Sequence, residues 1–201
     1  MTALPIILAS QSPRRSQLLQ WAEVAFEVMI SATDENIPAG LPVEEVATAI
    51  AREKALTVRQ QLALAHGADA QRLTHPPILA ADTVVVLNGN IIGKPTDEAD
   101  AINTLLQLSG KTHTVITGVV ILHTGGEIAF SEATQVTFHA LTKPQVEFYV
   151  RQYQPFDKAG SYAIQEWIGV VGIKSIAGDF YNVMGLPVSR VVMALNALQQ
   201  A

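Results

Sequence analysis

Residues 78–95 read ILAADTVVVLNGNIIGKP, and this stretch decides the fold. A run of small and β-branched apolar residues leads to the pair Asn88-Gly89, and a second apolar run follows. That pattern predicts two strands joined by a tight turn. Upstream, Ile6 to Ala9 predicts a buried strand, and Pro13 suits the first turn of a helix reaching Trp21 or Ala22. Phe26 to Ile30 predicts a second short strand, followed by an exposed loop over 31–42. From Val43 to about His66, apolar residues recur at helical spacing (Val46, Ile50, Ala51, Ala55, Leu56), which predicts the longest helix. Downstream, Thr96 to Leu108 predicts a helix with Thr96 as N-cap and acids in its first turn. Residues 112–141 are strand-rich, with Gly125-Gly126 marking a hairpin, and Thr142 and Gln145 have capping-box spacing for a helix to about Tyr153. An irregular stretch over 157–165 precedes the strand-like IGVVGIKSI (168–176), a loop, and a last helix from about Pro187. Strands and helices interleave, but the hairpins interrupt regular βαβ succession. The expected fold is therefore α/β, with helices flanking a mixed β-sheet.

Composition narrows the function. The 201 residues suffice for one domain of ordinary size or two small lobes, and 49% hydrophobic content can fill a sizeable core. Charged residues make up 15% and the net charge is −5. This argues against broad nucleic-acid binding, which needs a basic face. An anionic ligand would have to be held by a few placed cations. The absence of cysteine excludes disulfides, thiolate metal sites and a cysteine nucleophile. In MTALPIILASQSPRRS the basic residues follow the short apolar run, the reverse of a secretory signal. No apolar segment approaches the roughly 20 residues that cross a bilayer. The expected compartment is the cytoplasm.

Several groups could carry chemistry. In ASQSPRRSQLL, Ser10, Ser12, Arg14 and Arg15 fall at a strand-to-helix turn, where free N–H groups and the helix dipole favour an anion. Cations belong at the other end of a helix, so the two arginines make sense if a phosphate sits there. Equally, Ser12 could cap the helix while the arginines pair with nearby acids. Asp82 interrupts an otherwise apolar strand, a place where a carboxylate binds a metal, a cation or a reacting group, or else bonds to backbone amides at a strand end. Lys94, between Gly93 and Pro95, has a rigid setting for a phosphate contact, whereas Lys54 and Lys158 fit either a ligand contact or a solvated ion pair. Glu35 and Asp157 are unremarkable singly, and the five histidines show no metal-ligand spacing. Neither GxxxxGK[ST] nor GxGxxG occurs. Arginines, lysines and a few carboxylates together suit a polyphosphate ester with a hard divalent cation such as magnesium.

Six motifs in order then give a resemblance: LASQSPRRSQLL (8–19), AREKA (51–55), ADTVVVLNGNIIGKP (81–95), LSGKTHTVITGV (108–119), DKAGSYAIQ (157–165) and NVMGLP (182–187). Across nearly the whole chain the sequence resembles the Maf family of nucleoside triphosphate pyrophosphatases. The resemblance implies hydrolysis of a nucleoside triphosphate to monophosphate and pyrophosphate with a divalent cation, Mg2+ or Mn2+. It also implies one Maf-like domain over 1–201, elongated and of two lobes with a central cleft, and a cytoplasmic homodimer. It makes Asp82 the proton acceptor, places Asp82 and Glu35 on the metal, and places Ser10, Arg14, Arg15, Lys54, Lys94 and Lys158 on phosphate or substrate.

Within that family, Arg14, Thr83 and Gln165 resemble the pattern of the branch acting on dTTP and UTP. The 7-methyl-GTP branch differs at all three. A Gln amide can both donate and accept, as the O4 and N3–H edge of uracil or thymine requires, so Gln165 is expected to face the base. Glu166 and Trp167 depart from the commoner pattern, in which Gly follows the Gln, and Trp167 is expected in packing rather than on the base. Two other functions compete. One is a nucleotide-binding regulator of septum formation without turnover; the other is a house-cleaning enzyme for inosine or xanthosine triphosphates.

Overall fold

The protein is described by a computed structural model covering residues 5–30, 40–66 and 76–200. In chain order the elements are β1 (Ile6–Leu8), α1 (Pro13–Trp21), β2 (Phe26–Val28), α2 (Val43–His66), β3 (Ile78–Leu87) and β4 (Asn90–Ile92). They continue with α3 (Glu98–Leu108), β5 (Thr112–His123), β6 (Gly126–Phe138), α4 (Lys143–Tyr153), α5 (Trp167–Gly172), β7 (Ile173–Ala177), α6 (Phe180–Met184) and α7 (Val188–Gln200). The strands form one seven-stranded sheet in the order β2-β1-β3-β5-β6-β7, with β4 also paired to β3. β1 runs parallel to β2 and β3, whereas β3–β4 and β6–β7 are antiparallel. The sheet is mixed, as the hairpin-interrupted sequence predicts. None of the described helices is long and apolar enough to cross a membrane.

The chain divides into two compact units, one made of 1–82, 117–131 and 185–201, the other of 83–116 and 132–184. β3, β5 and β6 each contribute residues to both.

In the first unit, α2 buries Ala51, Ala55, Val58 and Leu62 against Ile7 and Ala9 of the β1 segment, Ile78 and Ala80 of β3, and Val120 and Leu122 of β5. The spacing of those α2 residues is that of one helical face. The close approach depends on Gly118 in β5, where a Cβ would lie 2.2 Å from the Thr48 nitrogen and 2.4 Å from the Ala47 carbonyl carbon.

In the second unit, Val85, Val115 and Val136 form a core with Ile92, Ala159, Ile173 and Val183 packed against it. The β3–β4 turn has Leu87 opposite Asn90, and Asn88 and Gly89 have φ of 52° and 79°. Those positive values at both central residues match the twist of a hairpin. Thr142 N donates to Gln145 Oε1 at 2.9 Å, which completes the expected cap on α4.

Four local expectations are corrected. The N-cap of α3 is Asp97, whose carboxylate accepts from Asp100 N at 2.8 Å. Thr96 lies one residue outside, donating to Asp100 Oδ2. The strand-like run 168–176 splits into α5 and β7. Val170 is 81% exposed, so its β-branched run does not serve as a buried strand, and Gly169 N and Val170 N both donate to Glu166 O to start a helical turn. β2 ends at Val28 rather than Ile30, and the short α6 falls in a stretch that reads as loop.

Candidate active site

The first unit brings together four of the expected residues in two directly bonded pairs. β1 leads through Ala9 to Ser10, whose hydroxyl accepts from Ser12 N at 3.2 Å and from Arg15 Nη1 at 3.1 Å. Arg15 lies on the buried side of α1 with Leu18 and Leu19, and its Nε donates to the Gly185 carbonyl at 2.8 Å. The guanidinium thus joins the first motif to the NVMGLP segment. Arg14, one position earlier, is half-buried.

The second pair follows from strand and helix periodicity. Alternate residues of a strand share a face, so Asp82 continues the row of Ile78 and Ala80 that α2 covers. On α2, Lys54 lies three residues after Ala51 and four before Val58, within the buried face. The two side chains meet there, with Lys54 Nζ donating to Asp82 Oδ1 at 2.7 Å. Lys54 is 7% and Asp82 8% exposed. A surface ion pair is worth little, but this one lies where solvent screens poorly. Thr83 is the next residue of β3, half-buried, and by strand alternation it faces away from Asp82.

The second unit holds Lys94, Lys158 and Gln165. Lys94 is exposed, and the carbonyl of the preceding Gly93 accepts from Gly160 N at 3.1 Å, which ties GKP to DKAGS. Lys158 is buried; its Nζ donates to Asp157 Oδ1 at 2.7 Å and lies 3.8 Å from Glu166 Oε1. Gln165 is exposed, on a turn in which Glu166 N donates to Ala163 O at 3.1 Å. Tyr149 of α4 accepts from Ala163 N at 3.1 Å and donates to Glu166 Oε2. Tyr149 had no assigned role in the sequence, because its spacing with Val146 and Val150 marks only a buried helical face. Glu166 stood out solely as a departure after Gln165. Glu35 lies outside the described residues.

His113 and Tyr162 form a separate buried group with Phe138, joined by a 2.7 Å contact between His113 Nε2 and the Tyr162 hydroxyl. Burial lowers the His113 pKa to about 4 and pushes the Tyr162 hydroxyl up. Both are neutral at pH 7. On the surface of the first unit, Arg52 binds Glu127 at 2.8 Å; this hydrogen bond raises the arginine pKa and lowers that of the glutamate.

Among the described residues no group of three or more His, Cys, Asp or Glu converges. Magnesium, however, is commonly held by one or two carboxylates plus substrate phosphates. Asp82, the buried carboxylate among the described residues, fits a cation that arrives with a polyphosphate.

The family model Maf, described as Maf-like protein, matches residues 5–198, and the chain belongs to that family. The dTTP/UTP pyrophosphatase of Phocaeicola vulgatus is 45% identical over 196 residues, which cover 96% of this chain and 95% of that protein. The dTTP/UTP pyrophosphatase of Halalkalibacterium halodurans is 46% identical over 191 residues, 95% of this chain and 94% of that protein. Among solved structures, protein VC0702 from Vibrio cholerae aligns over 76% of this chain and 72% of that chain at 11% identity, with a TM-score of 0.34, too slight a likeness to bear on the site.

Proposed function

We propose that this chain hydrolyses dTTP and UTP to the nucleoside monophosphate and pyrophosphate, as its relatives are named for doing. The observation that carries the reading is Asp82, a buried carboxylate bonded to Lys54 on the face of β3 that α2 covers. Cleaving the α–β anhydride needs an attacking water that is aligned and relieved of a proton, and Asp82 is the group for both tasks. Lys54 orients the carboxylate and places a positive charge where phosphate oxygens gather. Ser10, Arg14 and Arg15 at the start of α1 hold phosphate with the helix N-terminus, and Lys94 and Lys158 serve as phosphate or substrate ligands. Asp82 and Glu35 would hold Mg2+ or Mn2+, which when bound polarises phosphate oxygens and lowers the pKa of water. Arg14, Thr83 and Gln165 set the preference for the pyrimidine base. The reading extends to a cytoplasmic homodimer with neither nucleic acid nor membrane as partner.

The test is pyrophosphate release from a panel of nucleoside triphosphates with magnesium. dTTP and UTP should be the best substrates, and Asp82→Asn should lower turnover at least ~10²-fold. Tight binding without product would replace hydrolysis by a regulatory role. Preference for inosine or xanthosine triphosphate would overturn the pyrimidine assignment.

A further inference from the structure

The turn that presents Gln165 is held from three sides. Its own closure is the bond from Glu166 N to Ala163 O at 3.1 Å. From beneath, α5 presses on it: a Cβ on Gly169 would lie 1.7 Å from the Ile164 carbonyl oxygen, so only glycine allows that approach. From the side, the fully buried Tyr149 bonds both ends of the turn through one hydroxyl, accepting from Ala163 N and donating to the Glu166 carboxylate. The other oxygen of that carboxylate lies 3.8 Å from Lys158 Nζ, which also donates to Asp157. Ile164 between them is buried, whereas Gln165 is exposed. An exposed glutamine with three flexible torsions discriminates poorly unless its backbone is fixed, because ordering it on binding costs conformational entropy. A hydroxyl bonded to the backbone at one end of a two-residue turn tip and to the side chain at its other end supplies such fixation in advance.

We propose that Tyr149 and Glu166 are positioning residues that fix the Gln165 turn, and through it set discrimination between uracil or thymine and cytosine. The inference rests on the reading that Gln165 meets the base. Uracil and cytosine differ at the edge a glutamine amide would read. The former offers an acceptor and a donor where the latter offers a donor and an acceptor, so a mis-set amide loses the distinction before it loses the triphosphate. Tyr149 and Glu166 act through the turn, by the bonds from Ala163 N and to the Glu166 carboxylate.

The experiment measures kcat/KM for UTP and CTP in the full chain and in Gln165→Ala, Tyr149→Phe, Glu166→Gln and Glu166→Ala. Thermal melts identify any variant that fails to fold. Tyr149→Phe removes both bonds at constant shape, while Glu166→Gln keeps an acceptor for the tyrosine and is expected to rescue part of what Glu166→Ala loses. The expected result is a UTP-to-CTP ratio at least ~10-fold lower in Gln165→Ala, Tyr149→Phe and Glu166→Ala, carried chiefly by KM for UTP. If Gln165→Ala lowers the ratio while Tyr149→Phe and Glu166→Ala leave it unchanged, the positioning role is overturned and the base-facing role of Gln165 stands. An unchanged ratio in Gln165→Ala overturns the base-facing role and the inference together. Equal loss on both nucleotides in the Tyr149 and Glu166 variants marks general damage and also overturns the proposal.

Discussion

Removing either member of the Lys54–Asp82 pair should expose the energy that the other conceals. At 2.7 Å and an effective dielectric constant of about 20, their attraction is roughly 6 kcal/mol. Their side chains are 9% and 12% exposed, so water screens little of it, and removal from water costs several kcal/mol per ion. Attraction and desolvation thus nearly offset, and the intact pair contributes little net stability. A single substitution keeps one desolvation cost and loses the attraction, so Lys54→Met and Asp82→Asn should each destabilise by about 3–5 kcal/mol. The double variant removes both charges and should be at least ~1 kcal/mol more stable than the sum of the single losses predicts. Urea unfolding followed by far-UV circular dichroism measures all four proteins, with midpoint and slope both recorded. Pyrophosphate release is assayed in parallel: the double variant should regain stability and no activity, which separates a catalytic carboxylate from a structural one. Single losses under ~0.5 kcal/mol, with additive behaviour in the double variant, would refute the buried-pair reasoning.

Two further predictions concern the frame around the site. His113 is held near pKa 4 against an ordinary 6.5, so above pH 6.5 it is neutral both folded and unfolded. As pH falls from 6.5 to 4 the unfolded chain takes up a proton that the folded chain refuses, and stability should drop by roughly 2–3 kcal/mol by pH 4.5. His113→Asn should flatten that slope in urea titrations at pH 7 and 4.5, and an unchanged slope would remove His113 as its cause. Gly118→Ala would place a methyl 2.2 Å from a backbone nitrogen of α2, which no side-chain rotation relieves. It should cost about 3 kcal/mol, the upper end for overpacking, and lower activity because α2 carries Lys54. A melting temperature equal to that of the parent protein would show that the helix shifts freely.

Much of this was legible in the sequence where local chemistry governs. The Asn88-Gly89 hairpin and the Thr142–Gln145 cap depend on adjacent residues, and both appear as expected. So does α2, whose apolar stripe fixes its burial regardless of its partners. The run IGVVG misled because β-branched residues signal strand only when a face is buried, and Val170 lies in solvent. Asp97 outcompeted Thr96 as a cap by one position, within the usual uncertainty of helix ends. In the candidate site, the types of Arg15, Lys54 and Asp82 were visible, but their pairings were not. That Arg15 would reach Gly185, or Lys54 reach Asp82, follows only once strands and helices have registered. Lys54 had left a trace: its place between Ala51 and Val58 puts it on the buried face, where a lysine needs a partner. Tyr149 left none, since a buried tyrosine in an apolar stripe looks like any core residue, and Glu166 left only its departure from the commoner Gly after Gln165.

The bond from Arg15 to Gly185 spans 170 positions and has a consequence for biosynthesis. Synthesis makes the α1 turn first and the carbonyl that receives its guanidinium 170 residues later. Until then a buried cation lacks one of its acceptors, and the first motif is incomplete. A ribosome-bound chain stalled before Gly185 would therefore carry nearly every residue of the site and still be inert. Activity should therefore require synthesis to pass Gly185 rather than grow steadily with chain length.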